Sequence, residues 1–259
     1  MGFLAHGEAR VNAKAMEPFG KALFAYLGGD SGAELVVRRD DGAEVRLPVR
    51  LFFRDEPEFT ELERTAIEFC KGRVLDIGAA TGSQSVALQR RGHSVTAMDI
   101  SPEAVAIARR RGVTDSVCAD IFSFEGGPFD TLLMLGHGIG MVETIEGLKR
   151  FLARAASLLG SGGQLLLDSL DVRVTQDARN LAYHEINRNA GRYIGEIRMQ
   201  FEFRGGKGPF CGWLQVDADT LHEHAEAAGW RCEVVYQGEN GDYLARLARL
   251  QAARWGRKS

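Results

Sequence analysis

From residue 73 onward, short apolar runs alternate with segments of helical periodicity. The runs include RVLDI, SVTAMDI, SVCAD, FDTLLML and GQLLLDSL, and the segments between them include SQSVALQRR and SPEAVAIARRR. A strand, a helix and a second strand in succession form a right-handed crossover, and repeated crossovers build a parallel sheet with helices on both faces. The alternation therefore predicts a doubly wound α/β fold.

The two ends of the chain depart from this alternation. Near the N-terminus the helical run FGKALFAYL precedes ELVVRR and EVRLPVRLFF, and the Asp40-Asp41-Gly42 turn between those runs predicts a hairpin. A second hairpin is predicted from RYIGEIRMQFEFR and PFCGWLQV, and a last helix with two antiparallel strands from the final stretch. We therefore divide the chain into an extension (1–55), a core (56–171), an inserted hairpin (172–216) and a part that completes the core (217–259).

The charge balance and the cysteines exclude several classes of function. Lys plus Arg (32) nearly equals Asp plus Glu (35), so the clustered cations that bind a phosphate backbone are not expected and nucleic acid is a disfavoured partner. The four cysteines form no CxxC pair and no HExxH occurs, so no metal is predicted. With no secretory signal and no stretch apolar enough to span a bilayer, we expect a cytoplasmic protein without a membrane partner.

The stretch VLDIGAATGSQS predicts the floor of a binding site. It places Asp76 at the end of a buried strand and Gly78 and Gly82 in the loop before a helix, where glycine lets a ligand approach the backbone closely. The spacing GAATG differs from the GxGxxG of dinucleotide sites, and a carboxylate ahead of the loop would repel phosphate. A cationic ligand suits the stretch better.

Two further strand tips also carry a carboxylate. Asp99 ends SVTAMDIS and can accept hydrogen bonds from both hydroxyls of a ribose. Asp120, in CADIF, can accept one from an adenine amine, while Ile121 and Phe122 cover the ring. Together the three tips indicate an adenosine ligand that carries an amino group and no phosphate.

With these motifs in this order, residues from about 73 to 170 resemble the class I S-adenosylmethionine-dependent methyltransferases of the small-molecule type. VLDIGAATG, AMDIS, CADIF, FDTLLML and LLGSGGQLLLD match in turn. The resemblance implies a Rossmann-like, mostly parallel seven-stranded sheet with an antiparallel last strand, and S-adenosyl-L-methionine as cofactor, leaving S-adenosyl-L-homocysteine as product. It implies the following cofactor contacts: Asp76, Gly78, Ala79 and Gly82 around the methionine part, Asp99 and Ile100 at the ribose, Asp120 and Ile121 at the adenine, and Leu135 and Gly136 at the tip of the fourth strand.

The resemblance also directs attention to the residues beyond that fourth strand, because this tip faces both the methionine part and the acceptor. His137 is the first candidate for a substrate contact or general base; the alternative is a hydrogen bond to a loop carbonyl. The glycines beside it, Gly136, Gly138 and Gly140, would let a ligand approach. In this family insertions commonly cap the site, so we expect 1–55 and 172–216 to form a substrate cap in which Tyr183 and His184 are further catalytic candidates.

The expected reaction is in-line transfer of a methyl group to an oxygen, nitrogen, carbon or sulfur atom of an unidentified small molecule. Three alternatives stay open: a methyltransferase acting on RNA or protein, an NAD-dependent oxidoreductase, and a non-catalytic module that binds S-adenosylmethionine. A monomer and a homodimer are equally compatible with the sequence.

Overall fold

A computed structural model describes residues 12–250 of the 259-residue chain. The helices are α1 (Glu17–Leu27), α2 (Glu61–Phe69), α3 (Ser83–Arg90), α4 (Pro102–Arg110), α5 (Ile145–Leu158), α6 (Ala178–Asn189) and α7 (Ala218–Ala227). The strands are β1 (Glu34–Arg39), β2 (Glu44–Pro48), β3 (Arg73–Ile77), β4 (Ser94–Asp99), β5 (Asp115–Cys118), β6 (Phe129–Met134), β7 (Leu159–Leu170), β8 (Glu196–Phe203), β9 (Gly206–Lys207), β10 (Cys211–Leu214), β11 (Trp230–Gln237) and β12 (Asp242–Arg249). Short 3-10 helices cover Ala13–Met16, Val49–Phe53, Glu56–Glu58, Gly138–Val142 and Val172–Val174.

The core sheet has seven strands in the order β11-β12-β7-β6-β3-β4-β5. Strands β7, β6, β3, β4 and β5 are parallel, whereas β12 is antiparallel to both of its neighbours. This order confirms the predicted doubly wound fold and its antiparallel last strand. The chain runs outward from β3 to β5 and then returns to β6 on the other side of β3, so the topological switch point lies between β3 and β6.

Helices bury both faces of the core sheet, which is why its central strands are apolar almost throughout. On one face Phe151 and Leu221 of α5 and α7 pack into a large cluster, and on the other face Ile67 and Leu88 of α2 and α3 do so. Residues covered on both sides need no polar alternation. The carboxyl ends of the strands and the loops that follow them stay outside this double layer.

The N-terminal and inserted hairpins form one second sheet, ordered β10-β8-β1-β2 with β9 paired to β8. The sequence predicts two hairpins; the structure adds the antiparallel pairing of β1 with β8, in which Val37 lies opposite Phe201. The apolar side chains of this sheet pack with Leu23 of α1 and Ile107 of α4. The second sheet is therefore held against the core on the side of α4.

Two predicted elements differ in the structure. The run EVRLPVRLFF stays extended only to Pro48, because proline offers no N–H to a sheet ladder, and continues as a 3-10 helix. No helix is predicted between the core and the second hairpin, yet α6 lies there. Its inward face carries Tyr183, His184 and Asn187 while Leu181 and Ile186 are exposed, so the apolar periodicity that reveals a helix is lacking.

Parts of the predicted first and last segments, residues 1–11 and 251–259, lie outside the described residues.

Candidate active site

The loop after β3 folds back onto the end of β4. The N–H groups of Gly78 and Ala79 both donate to the carbonyl oxygen of Met98, at 2.8 and 3.0 Å. Gly78 (φ +73°), Ala80 (φ +48°) and Gly82 (φ +77°) all have left-handed backbone conformations, which are costly for alanine. The loop thus passes close over the switch point.

Asp76 lies beneath this loop. Its carboxylate is 3% exposed and accepts a hydrogen bond from Ser85 Oγ in α3 at 2.5 Å. Burial raises the pKa of Asp76 to about 6, and the nearby charge of Asp99 adds to the rise. Burying a carboxylate costs free energy that packing contacts do not recover. Asp76 is therefore a candidate partner for a cationic group.

Asp99 joins the loops that follow β3 and β4. Its Oδ2 accepts from the N–H of Ala80 at 2.9 Å and its Oδ1 from the N–H of Ser101 at 2.8 Å. Burial raises its pKa. A carboxylate accepts about four hydrogen bonds, so Asp99 can accept from a further donor while it holds both loops.

The candidates for the adenine contact lie at the end of β5. Asp120 is half-buried, and its Oδ1 accepts from the N–H of Phe122 at 3.0 Å. Ile100 and Phe122 are also half-buried, whereas Ile121 is 1% exposed and belongs to the main core cluster. The side chains that border this end are therefore Ile100, Asp120 and Phe122.

Two carboxylates hold His137, which follows Leu135 and Gly136 at the tip of β6. The backbone N–H of His137 donates to both oxygens of Asp168, at 3.0 and 3.1 Å, and its ring Nε2 lies 3.0 Å from Asp242 Oδ1. The ring partner is thus a carboxylate, not the loop carbonyl considered from sequence. His137 also has a left-handed backbone (φ +57°), as expected for a loop fixed by several contacts.

The protonation of this cluster reflects competition between burial and charge. Burial alone lowers the pKa of His137, but the hydrogen bond to Asp242 and the charges of Asp168 and Asp242 outweigh it and raise that pKa. Burial raises the pKa of Asp168 to about 6, while the hydrogen bond with His137 lowers that of Asp242. Of the two carboxylates, the half-buried Asp242 therefore carries a negative charge more readily than the buried Asp168 does.

Asp168 and Asp242 were not predicted as site residues from the sequence. Asp168 had a usable signal, because it interrupts the apolar run LLLDSL near the end of β7, much as Asp76 and Asp99 stand near the ends of their strands. Asp242 had none, since it reaches His137 only through the pairing of β12 with β7.

The glycines beside His137 have different roles. A Cβ on Gly136 would meet nothing within 4 Å, so this position is open to a ligand. A Cβ on Gly138 would lie 2.9 Å from Met134 Cγ, and one on Gly140 would lie 2.0 Å from the ring of Trp213. Packing therefore explains Gly138 and Gly140, and Trp213 brings the second sheet directly onto the loop after β6.

Tyr183 and His184 lie away from this loop, on α6. Tyr183 donates to Asp40 Oδ1 at 2.8 Å and accepts from the N–H of Arg198 at 3.1 Å, so it fastens α6 to the second sheet. Burial, together with the nearby arginines, lowers the pKa of His184. Both side chains line a cavity of about 360 Å³ that also touches Leu170 and Asp171 beyond β7.

Two other kinds of site are absent from the described residues. No group of three or more His, Cys, Asp or Glu side chains in residues 12–250 is arranged to hold a metal ion. Within the same range, no helix combines the length and the apolar character needed to cross a membrane.

Comparisons with known proteins agree with this geometry. A family profile described as a methyltransferase domain matches residues 75–167. The crystal structure of a SAM-dependent methyltransferase from Bacteroides fragilis in complex with S-adenosyl-L-homocysteine superposes with a TM-score of 0.81 at 31% identity, covering 93% of this chain and 98% of that one.

Curated relatives match over a shorter stretch. The ubiquinone biosynthesis O-methyltransferase of Xanthomonas euvesicatoria pv. vesicatoria is 32% identical over 123 residues, which is 44% of this chain and 50% of the relative. The demethylmenaquinone methyltransferase of Tropheryma whipplei is 33% identical over 99 residues, 36% of this chain and 40% of the relative. The chain thus spans about half the length, or less, of the curated relatives it matches.

Proposed function

The chain belongs to the S-adenosylmethionine-dependent methyltransferases, and from this premise we propose that it transfers the methyl group of S-adenosyl-L-methionine to a small molecule by in-line displacement. The cofactor, when bound, supplies the electrophilic methyl group, and the protein supplies alignment and exclusion of water. Family membership makes the dehydrogenase interpretation unnecessary.

The geometry at Asp99 carries this proposal. Its carboxylate holds the loops after β3 and β4 and retains acceptor capacity for a ribose hydroxyl. Asp76, buried beneath the same loop, suits the positive charge of the methionine part. The other assigned contacts are Gly78, Ala79, Gly82, Leu135 and Gly136 along the methionine part, Ile100 at the ribose, and Asp120 at the adenine with the backbone of Ile121, whose side chain is buried in the core.

His137 is the proposed group nearest the acceptor. With Nε2 directed to Asp242, its Nδ1 is the ring atom left to accept a proton or a substrate hydrogen bond. A general base is needed only when the acceptor must lose its proton early in the transfer. Tyr183 and His184 are assigned to the acceptor side, beneath a cap formed by the second sheet and α6.

We further infer a cytoplasmic location, where thiols stay reduced, because all four cysteines are free. A monomer and a homodimer both remain compatible with the proposal. A small-molecule acceptor is favoured over RNA or protein because the chain carries no excess of positive charge.

Calorimetric titration with S-adenosyl-L-homocysteine and with NADH tests the cofactor. We expect S-adenosyl-L-homocysteine to bind and NADH not to bind. Asp99→Asn should weaken binding of S-adenosyl-L-homocysteine about 10- to 100-fold, because a hydrogen bond to a charged group contributes about 1.5–3 kcal/mol. Asp130→Asn is the matched control: Asp130 also accepts a hydrogen bond from a backbone N–H, that of Arg73 at 2.8 Å, but at the amino ends of the central strands, away from the candidate site. Binding of NADH alone would refute the proposal.

Turnover is tested separately, by release of S-adenosyl-L-homocysteine with panels of small molecules, RNA and protein. Small-molecule acceptors should give release. Release only with RNA or protein would reject the acceptor class, and cofactor binding without release from any panel would favour the non-catalytic module.

A further inference from the structure

The cavity of about 360 Å³ described above lies between α6, the second sheet and the end of β7. Its volume falls within the range of sites that bind small molecules. It is also close to the His137 cluster, since Leu170 in its wall pairs with Asp242 across the β7–β12 ladder, and Asp242 binds the His137 ring. The cavity therefore lies at the end of β7, next to the strand whose first residue binds the His137 ring.

The cavity wall is apolar on one side and hydrogen-bonding on the other. Leu170, Val172 and Ile197 provide aliphatic surface. His184 is only 6% exposed and Gln215 is half-buried, and within residues 12–250 neither side chain hydrogen-bonds to another residue. Because buried polar groups in folded proteins are nearly always paired, the His184 side chain indicates a partner inside the cavity, and the half-buried Gln215 offers a second hydrogen-bonding group to the same partner.

Two charged groups in the wall, Arg39 and Asp171, already have partners of opposite charge. Arg39 donates through Nε and Nη2 to Asp41, at 2.9 and 2.7 Å, and through Nη1 to Asn180 at 2.8 Å. Asp171 accepts two bonds from the guanidinium of Arg173, at 2.8 and 2.7 Å. An anionic ligand would thus find no free cation there.

The remaining lining groups point the same way. Burial lowers the pKa of His184, so its ring is neutral at physiological pH. Glu239, at the exposed rim of the cavity, adds a negative charge that opposes an anion. The polar part of the wall therefore offers hydrogen bonds without net positive charge.

We propose that this cavity binds the methyl acceptor and selects a molecule without negative charge that has an apolar body and hydroxyl or amide groups, to which His184 and Gln215 hydrogen-bond. The assignment as an acceptor site rests on the proposed function. The charge preference of the cavity rests on its own lining residues.

A matched set of probes tests the charge preference. 3-Hydroxybenzyl alcohol, 3-hydroxybenzoate and 3-hydroxybenzylamine share one ring and differ in charge, and saturation-transfer difference NMR measures their binding to the protein with and without S-adenosyl-L-homocysteine. The alcohol should bind at least several-fold more tightly than the benzoate, and the amine should not show this loss. No binding of the alcohol, or binding of the benzoate as tight as that of the alcohol, would overturn the proposal, and so would a loss with the amine as large as that with the benzoate.

Two variants test the hydrogen bonds. His184→Leu and Gln215→Leu should each weaken binding of the alcohol about two- to tenfold, the effect of one neutral hydrogen bond. His222→Leu, on the exposed surface of α7, is the matched control and should leave it unchanged. Should His184→Leu fail to fold, Gln215→Leu alone decides.

The two proposals fail in different ways. Affinity for S-adenosyl-L-homocysteine should be the same in all three variants, which also reports correct folding. Unchanged binding of the alcohol in both cavity variants overturns the cavity assignment and leaves the cofactor site intact. Loss of the cofactor site, in contrast, would appear as no binding of S-adenosyl-L-homocysteine to the unaltered protein.

Discussion

His137 and Asp242 lie 105 positions apart in the chain, yet Nε2 of the first is 3.0 Å from Oδ1 of the second. Asp242 is the first residue of β12, so this contact links the loop after β6 to the antiparallel strand. Asp168 holds the backbone of the same histidine from β7. The loop that carries Gly136 is thereby fixed to two neighbouring strands.

The stability supplied by this pair should depend on pH. The pKa of His137 is raised above its ordinary value of 6.5, so the pair stabilises the fold fully below that value and loses its effect as the pH rises through the raised pKa. Asp242→Asn should therefore cost more at pH 6 than at pH 9. Both side chains are about one third exposed, so we expect a difference below about 1 kcal/mol, measured by urea denaturation at the two pH values.

Asp30→Asn is the control for this measurement. Asp30 pairs with Arg204 at 2.7 Å, and arginine stays charged over the whole interval. Asp30→Asn should lower the free energy of unfolding by the same amount at pH 6 and at pH 9. If Asp242→Asn also lowered it equally at the two pH values, the prediction would be contradicted.

The buried charge of Asp76 should lower the stability of the fold and strengthen binding of the cofactor. Its pKa is raised to about 6 by burial, so its charge lowers the stability of the fold increasingly between pH 4 and pH 6 and fully above that. Asp76→Asn should therefore raise the free energy of unfolding, relative to the unaltered protein, by about 1–3 kcal/mol more at pH 7.5 than at pH 4.5. Urea denaturation checks this, and titration with S-adenosyl-L-homocysteine should show weaker binding. Reduced stability at pH 7.5 with full affinity would show that the carboxylate is purely structural.

Alanine substitutions at Gly82 and Gly92 should separate the stability cost of backbone strain from that of close packing. Both have a left-handed backbone, but a Cβ on Gly82 would lie 2.6 Å from Val113 Cγ2, whereas one on Gly92 would meet nothing within 4 Å. Gly92→Ala should cost about 1–2 kcal/mol from strain alone, and Gly82→Ala about 2–4 kcal/mol. Chemical denaturation of both variants gives the comparison; equal costs would mean that Val113 moves aside freely.

Gly140 should be required only because of Trp213. A Cβ there would overlap the indole ring, so Gly140→Ala should cost about 1–3 kcal/mol. In a Trp213→Leu background the same change should cost about 1 kcal/mol less, and a double-mutant cycle measures that coupling. Simple additivity of the two changes would disprove the contact as the reason for the glycine.

How much of the fold follows from sequence can be judged from its elements. The order of strands and helices from β3 to β7 was predictable, because buried parallel strands are continuous apolar runs and each is followed by a helical period. The carboxylates Asp76 and Asp99 were predictable for the same reason, since a charge that closes an apolar run stands out. Helix α6 was not, because its inward face is polar.

The sequence by itself therefore determined the α/β class, the strand tips and the carboxylates on them, since these depend on local periodicity. Only the tertiary structure decided that β1 pairs with β8, that Trp213 rests on Gly140, and that Asp168 and Asp242 hold His137. Such contacts join residues far apart in the chain, and their partners are selected by the packing of whole elements. No local sequence pattern indicates which distant residues will become partners.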